Sequence, residues 1–100
     1  MVYITQLVYL KEGKEKEFHE FEDHAIPLLE EYKGKILYRI RPTEDSFVSK
    51  EGESPYEVHF VCFQSQEWLE KFMNDKRRLD KMHLKNESVK TIMMVKGERM

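Results

Sequence analysis

The sequence predicts a single α+β domain of order β-α-β-β-α-β, with a four-stranded antiparallel sheet and two helices on one face. Three observations predict it. Four short runs are rich in β-branched and aromatic residues. Two longer stretches repeat apolar residues every three or four positions. Glycine, proline and polar turn residues separate them. At 100 residues the chain is the size of one domain, 1–100.

Val2 to Leu10, "VYITQLVYL", reads as the first strand. After the turn "KEGK", apolar residues fall at Phe18, Phe21, Ala25, Leu28, Leu29 and Tyr32, which marks one face of a helix. Gly34 is placed to end that helix, and Pro27 on its solvent side predicts a bend or a break. "KILYRIR", up to Arg41, is the second strand and Pro42 stops it. "PTEDSFVSKEGESP" is a loop long enough for a lid or an irregular hairpin tip. "YEVHFVCF", Tyr56 to Phe63, is the third strand. Ser65 is the expected N-cap of a second helix carrying Trp68, Leu69, Phe72, Leu79 and Met82, with a joint near Asn74 and Asp75; His83 falls after it. "SVKTIMMVK", Ser88 to Lys96, is the last strand.

This order is the ferredoxin-like arrangement, and right-handed crossovers put strands one and three in the middle of the sheet. Two helices cover only one face of four strands. Yet strand one is apolar on both parities, with Tyr3, Leu7 and Tyr9 opposite Val2, Ile4 and Val8. A second apolar face needs a cover, and a second copy of the chain is the simplest one.

The formal charge of −2, from 17 basic and 19 acidic residues, contains no basic block, so neither nucleic acid nor an anionic membrane is an expected partner. Cys62 is the single cysteine, which excludes an internal disulfide. No signal-like or long apolar segment is present, and the expectation is a soluble cytoplasmic protein. RNA-recognition domains share the β-α-β-β-α-β order, but Tyr56 to Phe63 fits only the last four places of their third-strand pattern. The RNA reading turns Glu57 and His59 under the helices, where unpartnered polar groups cost several kcal/mol each, on the order of the usual burial penalty. The opposite parity is therefore expected. Tyr56, Val58, Phe60 and Cys62, with Ile36, Tyr38 and Ile40, face the helices; Glu57, His59, Val61 and Phe63, with Leu37, Arg39 and Arg41, face the open side.

"YLKEGKEKEF", "AIPLLEEYKGKILYR" and "VCFQSQEWLEKFMND" resemble the dimeric α/β-barrel superfamily, including antibiotic-biosynthesis-monooxygenase-like proteins and small uncharacterised families. The resemblance covers nearly the whole chain, and such loose patterns of apolar and turn residues specify a fold better than an activity. It implies a homodimeric barrel with a pocket in each protomer. It also implies cofactor-free oxygenase or isomerase chemistry for some members, haem binding for others, and no residue-by-residue transfer of a catalytic set.

Glu57 and His59, two apart on a strand, leave the same face, where a carboxylate can hold an imidazole as a base. Arg39 on the neighbouring strand is the expected anion anchor. These three are the candidate catalytic residues, against the plainer reading of a satisfied polar network in a dimer interface. An adaptable, mostly apolar pocket for an elongated or lipid-like organic acid is expected from Tyr3, Thr5, Leu7, Tyr9, Leu37, Val61, Phe63, Ile92 and Met94, with His24 at its helix edge. The four histidines have no metal-like spacing, so no metal is expected, and no cofactor is called for, although haem would need only one histidine. Two function classes stand: a small-molecule-binding homodimer with or without catalysis, and a non-catalytic dimerisation or sensing module.

Overall fold

The computed structural model describes residues 1–100. Its strands are β1 (Val2–Leu10), β2 (Gly34–Ile40), β3 (Glu57–Phe63) and β4 (Val89–Gly97). Its helices are α1 (Glu15–Ala25), α2 (Gln66–Met73), α3 (Lys76–Leu79) and α4 (Met82–Ser88), with 3₁₀ segments at Ile26–Tyr32 and Glu44–Ser46. The strands form one antiparallel sheet in the order β2-β3-β1-β4, with β1 and β3 central as predicted. No helix is long and apolar enough to cross a membrane.

Local chemistry sets the breaks. Pro27 sits in the first turn of the 3₁₀ segment, so the chain stops winding as an α-helix at Ala25. Ser65 caps α2 by accepting from the Trp68 N–H at 3.4 Å. Asp75 breaks α2 from α3 and caps the latter, accepting from the Arg77 and Arg78 N–H groups at 2.8 and 3.4 Å. His83 lies inside α4, not after a helix. Only Leu84 and Ser88 of that helix are buried, too sparse a pattern to announce it.

Gly34 does a different job from the one expected. The left-handed residue ending the 3₁₀ segment is Lys33, at φ 56°. Gly34 opens β2 against the Phe63 ring, where an added Cβ would stand 2.6 Å from Cε1.

The core joins Ile4, Val61 and Phe63 of the sheet to Leu28, Leu29, Leu69 and Phe72 of the helical layer. Phe21, Ala25 and Leu84 form a second cluster between α1 and α4. This corrects the expected parity of β3: Glu57, His59, Val61 and Phe63 face the helices, and Val58 and Phe60 face the open side. Phe60 there stacks on Tyr3 with ring centroids 6.0 Å apart and lies 6.3 Å from Tyr38. Tyr56, just before the strand, does reach α1, meeting Phe18 edge-on at 6.0 Å. Cys62 shares the open-side parity but stays buried beside its cross-strand neighbours Tyr3 and Lys35.

Two physical reasons account for the reversal. The burial penalty assumed for Glu57 and His59 applies to unpartnered groups, and these have partners. A bulge in β2 also adds one residue between Ile36, opposite Val61, and Tyr38, opposite Phe60. Ile36 and Arg39 therefore both face the helices although they are three apart, and Tyr38 and Ile40 turn outward. In β4, the register pairs Ile4, Gln6 and Val8 with Lys96, Met94 and Ile92. This corrects the expectation for Ile92 and Met94, which lie on the helix side; Met93 and Val95 occupy the open face and are 56% and 57% exposed.

Candidate functional site

Glu57 is fully buried in the central strand and is the acceptor for three side chains. Arg39 Nε donates to it at 3.0 Å, Arg41 NH2 at 2.5 Å, and His59 Nε2 lies 2.6 Å from Oε1. Burial alone pushes the Glu57 carboxyl up, but the His59, Arg39 and Arg41 hydrogen bonds outweigh it and hold the group at about 2. A carboxylate at neutral pH can only accept, so His59 Nε2 carries the proton in this bond. That fixes the ring's orientation and leaves Nδ1 without a protein partner. Arg41 also lies 5.1 Å over the Tyr56 ring, whose hydroxyl meets His19 Nε2 at 2.6 Å.

His59 lines a cavity of ≈80 Å³ between the sheet and α1. Its walls are mostly apolar, including Ile4, Val8, Phe18, Phe21, Leu29 and Val61. Three charged side chains enter it from the helices: Glu22 from α1, Arg78 from α3 and Lys85 from α4. Glu22 is only 8% exposed and makes no hydrogen bond to the protein. Burial raises its carboxyl, and Glu57 adds to this, while the positive potential of His59, Arg39 and Lys85 opposes it. Arg78 donates to the Met73 carbonyl at 3.1 Å and packs over Phe21 and Phe72, with its Cζ 5.8 and 5.4 Å from the ring centroids.

Glu22, Glu57 and His59 each offer one ligand atom, and all three atoms lie within 4.8 Å of one another. A metal would have to displace the arginines from Glu57, whose oxygens are already occupied. The set combines a carboxylate held as an anion by its arginines, a carboxyl that burial pushes up, and an imidazole within reach of both.

The structure thus brings together Arg39, Glu57 and His59, but under the helices. Arg39 is tied to Glu57, so it acts on the site through that carboxylate. Val61 and Ile92 line the same cavity. Tyr3, Thr5 and Leu37 instead border a broad groove on the open face, with Tyr38 and Phe60. Leu7 and Tyr9 continue that face along β1. Phe63 is core, 1% exposed, and lines neither. Met94 is on the edge strand and 45% exposed. His24 is exposed on the outer side of α1, beside Asp80 and Lys81.

Sequence reasoning missed Glu22, Arg41, Arg78 and Lys85. Glu22 carried a readable signal, an acid inside the apolar stripe of Phe18, Phe21 and Ala25. Arg78 and Lys85 carried none, because the break at Asp75 resets the helical phase and α4 went unrecognised.

No protein-family model matches the sequence, and no curated protein does. Solved structures do. A protein of unknown function from Rhodopseudomonas palustris matches with a TM-score of 0.83 at 11% identity, over 99% of this chain and 82% of that one. A dimeric protein of unknown function and ferredoxin-like fold from Bacteroides fragilis matches at 0.71 and 13% identity, over 98% and 95%. A NIPSNAP-family protein of unknown function from Agrobacterium tumefaciens matches at 0.68 and 20% identity, over 97% and 86%. At these identities the likeness concerns architecture, and the chain has the ferredoxin-like fold that its element order and its resemblance to dimeric α/β-barrel proteins implied.

Proposed function

We propose that the protein is a homodimer that binds a compact organic molecule between its sheet and helices and exchanges a proton with it through Glu22 and His59. The observation that carries this reading is the meeting of those two groups in a mostly apolar cavity. A carboxyl that burial pushes up holds its proton more tightly and can serve as an acid, and an imidazole oriented by Glu57 through Nε2 offers Nδ1 as the base. Two such groups on one ligand support isomerisation or enolisation without a cofactor. The ≈80 Å³ cavity favours a ligand of several heavy atoms over an elongated, lipid-like one.

The open face supports the homodimer. Tyr38, Met93 and Val95 are each more than half exposed on a sheet surface that no helix covers. The similar Bacteroides fragilis protein is described as dimeric. A non-catalytic dimerisation module is the second reading, favoured by that same surface; it requires the cavity to be ligand-free in solution.

A thermal-shift panel of small carbonyl acids tests the proposal. A ligand present at 100 times its Kd should stabilise the wild type by about 2.7 kcal/mol. Glu22→Gln and His59→Phe should abolish the shift, and an open-face change such as Phe60→Ser should leave it. Loss of the shift in Phe60→Ser with retention in the two cavity variants would overturn it.

A further inference from the structure

Proton exchange between Glu22 and His59 leaves one group in the cavity unused. Lys85 reaches the cavity from α4 and is half-buried. Lys11, Lys50, Lys71, Lys90 and Lys96 each end on an oxygen. Lys85 makes neither a hydrogen bond nor an ion pair, not even with Glu22 in the same cavity. Arg78, the other cavity cation, is held in place by the Met73 carbonyl and two aromatic rings.

An ammonium in an apolar wall without a partner is costly, and the amine form relieves that cost. The charged groups facing Lys85 are Arg78 from α3 and Glu22 from α1, with His59 of β3 on the same cavity. Burial lowers Lys85, the Arg78 charge lowers it further, and Glu22 opposes both. Burial likewise raises Glu22. Burial thus moves the Lys85 amine and the Glu22 carboxyl each toward its uncharged form, on one cavity wall with a fixed guanidinium. Desolvated lysines of this kind are nucleophiles toward carbonyl carbon.

We propose that Lys85 captures a small 2-oxo acid as an imine, with Arg78 holding the ligand's carboxylate and Glu22 handling the protons. This rests on the cavity being the ligand site. The Nζ lone pair forms the N–C bond while the carbonyl π pair takes the Glu22 proton, giving a carbinolamine. Glu22 recovers a proton from nitrogen and returns it to the hydroxyl, which leaves as water as the C=N bond forms. The products are a protonated imine, one water and the Glu22 carboxylate, with no oxidation or reduction. Arg78 supplies the paired donors that a carboxylate accepts.

The test is borohydride trapping on the full chain at neutral pH, with pyruvate as probe and propanal as the probe lacking a carboxylate. Peptide mass mapping then compares Lys85 with exposed Lys16 and Lys76. Pyruvate should label Lys85 about tenfold faster than either, because Arg78 seats its carboxylate beside an amine that burial shifts toward the free base. Propanal should lose that advantage, Glu22→Gln should slow labelling of Lys85 about tenfold, and Lys85→Arg should remove the fast adduct with circular dichroism unchanged. Equal labelling of the three lysines overturns the inference. So does an unlabelled Lys85 while pyruvate still stabilises the wild type through Glu22 and His59; that result leaves the proton-transfer reading standing. If no carbonyl acid labels or stabilises the protein, both fail.

Discussion

Glu57 accepts the Nε2 proton of His59 at 2.6 Å while both its oxygens also take arginine donors at the rim of β2. The carboxylate is buried, but Arg39 and Arg41 keep 36% and 48% of their side chains in solvent. The charge on Glu57 is thus neutralised without burying the whole guanidinium groups, which reduces the desolvation penalty of the network. It also makes Glu57 the hinge between fold stability and the state of His59.

Glu57→Gln should destabilise the protein by about 2–4 kcal/mol, because it leaves two arginines and an imidazole without their anion. Urea unfolding followed by circular dichroism measures it, with the midpoint falling and the slope unchanged.

Acid should act through the same group. Glu57 is held at about 2 in the fold, below its ordinary 4.5, so between those values the unfolded chain binds more protons than the native one. Its contribution, on the order of 3 kcal/mol, is fully present above pH 4.5 and is lost as the pH falls toward 2. Glu22 works in the opposite sense: its raised value means that stability erodes as the pH rises above 4.5. Unfolding free energies across the acid range should show the first effect vanish in Glu57→Gln and the second vanish in Glu22→Gln.

Gly34→Ala should cost about 1–3 kcal/mol by overpacking. The new Cβ would meet Phe63 Cε1 at 2.6 Å, and that ring is 1% exposed and backed by Phe72 with centroids 5.5 Å apart. The thermal midpoint is the readout, and a neutral result would mean that the Phe63 ring has room to move.

Neighbouring residues on β3 should behave oppositely. Phe60→Glu charges the open face and should yield a folded monomer by sedimentation velocity. Val61→Glu places a carboxylate in the core beside Ile4 and Phe63 and should unfold the chain. The parity that the sequence predicts for β3 exchanges these two outcomes.

The strands, the break at Pro27, the cap at Ser65 and the joint at Asp75 were legible because each rests on local chemistry: β-branched runs, a missing N–H, a side-chain acceptor. The association of Arg39, Glu57 and His59 was legible from strand spacing. The face they occupy was not. It depended on a bulge at Leu37, which no residue type marks, and on Arg41 joining Arg39 to offset the burial of Glu57. Lys85 and Arg78 stayed hidden because they belong to short helices whose buried positions are too few to form a stripe.

The nitrogen chemical shifts of the His59 ring test the central claim most directly, that Glu57 orients an imidazole whose Nδ1 is left for the cavity. At a pH where the ring is neutral, wild-type protein should show the proton on Nε2, with Nδ1 at the unprotonated shift, and Glu57→Gln should weaken that preference. A proton on Nδ1 in the wild type, unchanged by Glu57→Gln, would contradict the account.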